Sequence, residues 1–309
     1  MKRLITLATL MLTLLLTSAL GFAQETTVVD KLNMMDKTLY GSEQTGALLE
    51  RVQKVEKDVN GQISKEAIIP RVDALYEAVF HSTESAPSLL LKVNAVEWAL
   101  QHQVNGTVPV KSRIEDLERT VMGNSTPGAF QDRITKLLSL AYADGKAQTA
   151  SLTLPKDSLI KISFLTALDS KTARVGDLVE FQAADDVLIN GMLAVAKGAR
   201  GIGKVSKVER ASNFGRDGKI EINFEDIETI DEQKVPIFLG EKAKEETKSY
   251  AKAAGATVAG MIILGPVGVI GGAFVHGDDL KIPVGAQMFV QTKAETSLVG
   301  VVPPGAVTQ

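Results

Sequence analysis

The chain has 309 residues, 34 of them Lys or Arg against 37 Asp or Glu, with 45% hydrophobic residues and no cysteine. That balance belongs to a folded protein of one large or two ordinary domains and excludes a disordered chain. The missing cysteine excludes a disulfide framework, a cysteine-held zinc, a thiol nucleophile and a lipoprotein anchor, and a net charge of −3 speaks against a nucleic-acid partner.

Lys2 and Arg3 precede an apolar run from Leu4 to Leu20, and Gly21-Phe22-Ala23 then supplies small residues before Gln24. Basic, apolar and small in that order predicts a secretory signal peptide over residues 1–23. An uncleaved anchor is the other reading, with a run near the lower limit for spanning. Cleavage leaves 32 basic against 37 acidic residues. The expected address is the periplasm or outer membrane of a diderm bacterium.

Six units of 20 to 21 residues follow over 24–143, opening at Lys31, Arg51, Arg71, Lys92, Arg113 and Arg133. An apolar residue follows each opening residue, a second comes three later and a third four after that. The inner units place there Val52, Val55 and Val59; Val72, Leu75 and Val79; Val93, Val96 and Leu100; Ile114, Leu117 and Val121. Leu48, Ile68, Leu89, Val110 and Phe130 extend the stripe one turn backwards. Spacing of 4, 3, 4 predicts a narrow apolar helical stripe, and Gly41, Gly61 and Gly123 predict where three helices stop. Helices of 13–16 residues are marginal alone, so the stripes must pack together as an array or small bundle. An acid follows the second apolar site in four units, as Asp36, Glu56, Glu97 and Glu118. The opening basic residue is read as a snorkelling or salt-bridging flank of the stripe. Units with a Leu-Glu pair and a closing Gly resemble short repeats of uncharacterised bacterial envelope proteins, a resemblance that implies no activity.

Residues 144–158 read as a polar linker, and from Leu159 the period becomes alternating. Strands are expected over 159–168, 178–183, 187–189, 192–195, 201–208, 219–230, 235–239 and 280–292, with Asn190-Gly191 as a hairpin turn. So many short strands imply an antiparallel barrel or sandwich over 159–294, and residues 295–309 read as a flexible tail. The fold class is therefore α+β.

The stretches LTALDSKTARVGDLVEF, NGMLAVAKGARGIGKV and GRDGKIEINFEDIETIDEQKVPI, between Leu165 and Ile237, resemble the outer β-domain of the conjugation and type IV secretion scaffold family. The resemblance implies a β-domain that assembles into a ring near the outer membrane and a helical insertion that contacts the membrane. This chain differs in carrying a signal peptide where the family has an inner-membrane helix, and helical repeats where it has a Pro-rich segment.

Glu241–Lys252 favours helix, and residues 253–275 then run for 23 positions without a charge. Gly255, Gly260, Gly265, Gly268, Gly271 and Gly272 punctuate this run, with Ile262, Ile263, Leu264 and Ile270 as its bulky apolar residues. Gly265-Pro266 predicts a turn, hence a hairpin of two short apolar helices inserted over 241–277. Three readings of it stand: membrane contact, oligomer contact, or burial on the β-domain.

Gly198–Lys204 spells GARGIGK, which has phosphate-loop spacing but Val205 where Ser or Thr is needed, and its flanks read as strands. His81, His102 and His276 are dispersed, Asp185-Asp186 and Asp278-Asp279 sit at turn positions, and Trp98 and Tyr40 read as packing residues. The expected function is a non-enzymatic cell-envelope assembly protein, without cofactor or metal, that self-associates and contacts a membrane or an envelope protein. The alternative is a soluble module that binds peptidoglycan or another wall polymer.

Overall fold

A computed structural model describes residues 26–211, 217–253, 263–264, 270–271 and 279–305. The N-terminal half is six helices: α1 (Val28–Tyr40), α2 (Leu48–Asn60), α3 (Ile68–Phe80), α4 (Leu89–Gln101), α5 (Val110–Met122) and α6 (Phe130–Ala141). Their first residues from α2 onward are the backward extension of the stripe. Gly41, Gly61 and Gly123 end α1, α2 and α5 in the left-handed conformation, and His102 does the same for α4 at φ 55°.

The stripe residues Val52, Val55, Val59, Val72, Leu75, Val79, Val93, Val96, Ile114 and Leu117 are all buried. Leu100 is only half-buried, and Val121 is 38% exposed, which corrects its place in the stripe. Val121 holds the same next-to-last helix position as the fully buried Val59 and Val79, so its exposure is set by what packs beside α5 and not by its place in the unit.

The acids and arginines of the units lock successive helices together. Asp36 takes two bonds from Arg51, Glu56 from Arg71, Glu97 from Arg113 and Glu118 from Arg133, at 2.6–3.0 Å. Each acid also accepts a backbone N–H eight residues on, from Gln44, Ser64, Asn105 and Thr126, so one carboxylate fixes both its own loop and the next helix. Burial would raise the Glu118 carboxyl, but Arg133 and Thr126 outweigh it and hold it at about 2. The clasp is missing between α3 and α4, where Tyr76 and Lys92 occupy the acid and arginine positions. There Ser82 donates to Ser88, whose hydroxyl caps α4. The array thus consists of two three-helix units, α1–α3 and α4–α6, each packed pairwise throughout and joined through α1 on α5, α2 on α6 and α3 on α4.

The second half contains β1 (Thr149–Leu154), β2 (Leu159–Phe164), β3 (Leu168–Asp169), β4 (Leu178–Ala183), β5 (Val187–Ile189), β6 (Met192–Val195), β7 (Arg200–Glu209), β8 (Lys219–Glu228) and β9 (Lys234–Phe238). Then come α7 (Glu241–Ala253), β10 (Ile263–Leu264), β11 (Ile270–Gly271), β12 (Lys281–Ile282), β13 (Gln287–Thr292) and β14 (Thr296–Val301). Six strands close a barrel in the order β13-β2-β4-β7-β8-β9, which leaves no edge among them. Phe164, Phe181 and Phe224 fill it, with Phe224 centred 5.5 Å from Phe181 and 6.5 Å from Phe164. A second sheet runs β1-β14-β6-β5. This corrects two expectations: the linker contains β1, and the supposed flexible tail contains β14, paired with β1 from Thr149↔Val301 to Leu154↔Thr296. Strands at opposite ends of a domain pair only in three dimensions, so local composition misreads both.

Helix α7 lies along β13. Gln291 accepts the N–H of Ala243, Thr247 accepts the N–H of Phe289, and Tyr250 donates to Gln287. Of the expected helical hairpin, Ile263, Leu264, Ile270 and Gly271 are described, and they pair as antiparallel strands, Ile263↔Gly271 and Leu264↔Ile270. These four residues are extended rather than helical. Gly255, Gly260, Ile262, Gly265, Pro266, Gly268 and Gly272 lie outside the described residues. No helix among the described residues is long and apolar enough to cross a membrane.

Candidate functional site

The two halves share one hydrophobic core, and α4 is the helix that joins them. It is buried almost all round, unlike its neighbours, because it packs on its own array with one side and on the β-half with the other. Asn94 is the pivot. Its Oδ1 accepts from the Arg113 guanidinium, which orients the amide so that Nδ2 donates to the Ile230 carbonyl at 2.9 Å and to Glu232 Oε1 at 2.7 Å. One turn on, the Trp98 indole N–H donates to Asp186 Oδ2 at 2.9 Å, and Asp186 Oδ1 accepts the Lys197 N–H at 2.7 Å. The Val104 N–H donates to the Lys197 carbonyl at 2.8 Å. Away from α4, Glu84 accepts the Ser151 N–H, which holds its carboxyl below the usual range.

Gly198 explains much of the GARGIGK segment. It has φ 86°, and a Cβ there would lie 2.0 Å from the Val104 carbonyl oxygen, so the two halves could not approach as they do. Gly201 faces the Phe181 ring, with 2.1 Å for an added Cβ, and so makes room for the barrel filling. Phosphate-loop spacing here arises from close approach within and beside β7.

Above this contact lies a cleft of about 920 Å³ between the halves. Its array side presents Met34, Tyr76, Phe80, Leu90, Val108 and Pro109, an apolar floor, with Lys37, Glu43 and His81 at the margin. The β-half presents Arg200, Glu228, Asp231, Glu232 and Lys234. Desolvation, reinforced by neighbouring Glu232, pushes the Glu228 carboxyl up to about 8. Desolvation also raises Glu232 against the opposing pull of Arg113 and Asn94. Glu232 is held at φ 66°, a costly conformation for a residue other than Gly, Asn or Asp, by its bond to Asn94. Arg200 pairs with Glu180 at 2.8 Å, while its Nε is buried without a protein partner among the described residues. A wall of this kind can exchange protons near neutrality and can meet a ligand that joins an apolar body to polar groups.

None of the cleft's β-side residues was singled out from sequence as a site. Asp185-Asp186 lies between β4 and β5 and Asp231-Glu232 between β8 and β9, and Asp186 and Glu232 also anchor α4. Asp279 accepts from Ser170 and from the Ala211 N–H. Tyr40 donates to Asp58 beneath Lys54, so it has a structural role. His81 bonds Glu77, His102 caps α4 and His276 lies outside the described residues. Among the described residues no group of three His, Cys, Asp or Glu is placed to hold a metal ion.

The protein is thus of a class that docks a clasped array of six short helices on a closed six-stranded barrel. No family model and no curated protein matches the sequence. Among solved structures, the chain is similar to ComB10 of the Com type IV secretion system of Helicobacter pylori, at 14% identity and a TM-score of 0.25. That likeness covers 46% of this chain and 88% of ComB10. A likeness at this level carries no activity across.

Proposed function

We propose that this protein is an exported, non-enzymatic assembly protein of the cell envelope. In this reading the β-half self-associates, the charge-free stretch 253–275 contacts a membrane, and the helical array presents a surface to an envelope partner. The observation that carries it is the joining of the two halves. A shared core, the Asn94 and Trp98 bonds and the Gly198–Val104 approach join the halves at several points, which suits a part that relates two surfaces to each other rather than one that turns over substrate. The signal-like N-terminus supports export, and the 23 uncharged residues support membrane contact.

Deletion of residues 255–275 is expected to move the mature protein from the membrane fraction to the soluble fraction in vesicle flotation. An intact protein that stays a soluble monomer, with and without detergent, would end this reading. The cleft favours a second one, in which the protein binds a wall polymer on the floor formed by Tyr76, Phe80 and Leu90. Co-sedimentation of the deletion variant with purified cell wall, abolished by Tyr76→Ala, would favour it.

A further inference from the structure

The contact between the halves is built around carboxyls that are poorly solvated when it is closed. Glu232 reaches from the β8–β9 turn to α4, where it accepts from Asn94 and faces Glu97, with Arg113 on α5 behind them. Glu228, at the end of β8, has Oε2 only 3.7 Å from where a Cβ would sit on Gly106, in the array's α4–α5 loop. Arg200 from β7, Lys234 from β9, Asp226 from β8 and Glu232 are the charged groups around it. Lys37, Glu43 and His81 border the same cleft from the array side. Around Glu228 two further acids, Asp226 and Glu232, meet two cations, Arg200 and Lys234, and Arg200 is already paired with Glu180; Glu232 in turn has Asp231 beside it and Arg113 across the contact.

We propose that docking of the helical array on the β-half is a pH-sensitive latch, closed when Glu228 and Glu232 carry protons and loosened when both are ionised. The direction follows from linkage. Both carboxyls are raised in the closed form, Glu228 from 4.5 to about 8, so closure binds protons that the parted halves release. The stabilisation is fullest in acid, declines as pH rises and is gone above about 8. Each proton linked to closure changes the closed-to-open ratio by about tenfold per pH unit within that window.

Trp98, the sole tryptophan, reports on the latch because its indole sits in the contact on Asp186. Its ring is 6.2 Å from His102, whose protonation would also quench it, so the measurement uses a His102→Asn background; Asn suits the left-handed position there. Acrylamide quenching of Trp98 in the full mature chain is expected to rise several-fold between pH 6 and pH 9, with unchanged far-ultraviolet circular dichroism. Glu228→Gln and Glu232→Gln are each expected to flatten that rise and keep Trp98 protected at pH 9. Should one variant fail to fold, the other decides. Quenching of the parent that stays constant from pH 6 to pH 9, or a rise that persists in the folded Gln variants, would overturn the latch.

Discussion

The array and the barrel solve the same problem of burying short elements in opposite ways. In the array, four of the five successive helix pairs are clasped by an acid and an arginine 15 or 16 residues apart, so cohesion is local and repeated. In the barrel, β13 must close on β9 and on β2, so cohesion waits for pairs with β2 that lie more than 100 residues apart in sequence. Local clasps can be lost one at a time, whereas closure fails as a whole. The lesson is that buried charge sits where register is repetitive and must be specified, and aromatic packing sits where topology already specifies it.

The largest effect should come from breaking a clasp. Glu118→Gln leaves the Arg133 guanidinium buried without its counter-charge and should cost about 3–5 kcal/mol in denaturant unfolding. The native carboxyl titrates near 2 against an ordinary 4.5, so its contribution is full above about 4.5 and fades as pH falls through 2. The gap between wild type and variant should accordingly shrink in acid. An undiminished gap at pH 2 would show that shape rather than charge is at stake.

Gly198→Ala should come next, at about 2–3 kcal/mol, from a clash with Val104 combined with a positive φ. Trp98 fluorescence should register the loosened junction while the barrel's amide protection persists. Loss of barrel protection as well would mean that the halves cannot be separated energetically. A pair of substitutions sharpens the stripe itself and includes the smallest effect, that of Val121→Ala. Leu117→Ala, at a fully buried site, should cost about 2–4 kcal/mol, whereas Val121→Ala should change thermal stability by less than about 0.5 kcal/mol.

Much of the architecture was legible along the chain. The 20-residue period marked all six helices because each apolar face recurs within one turn of its neighbours. The strands of the barrel were legible from alternation, and Asn190-Gly191 does turn β5 into β6. The candidate site was not. Asp186 and Glu232 look like any turn acids, and Asn94 like any exposed helix polar residue, until α4 is placed against the β8–β9 turn 136 residues away.

The sequence by itself determined the α+β class, the repeat and its stripe, the positions of helix stops and most strands. These follow from periods of 3.6 and 2 and from the backbone preferences of glycine, which act over a few residues. Tertiary structure alone decided that a basic flank becomes a clasp, that the supposed tail completes a sheet with the linker, and that Asp231 and Glu232 share a cleft wall with Arg200. Each depends on which distant surfaces exclude water from one another, and no local pattern encodes that.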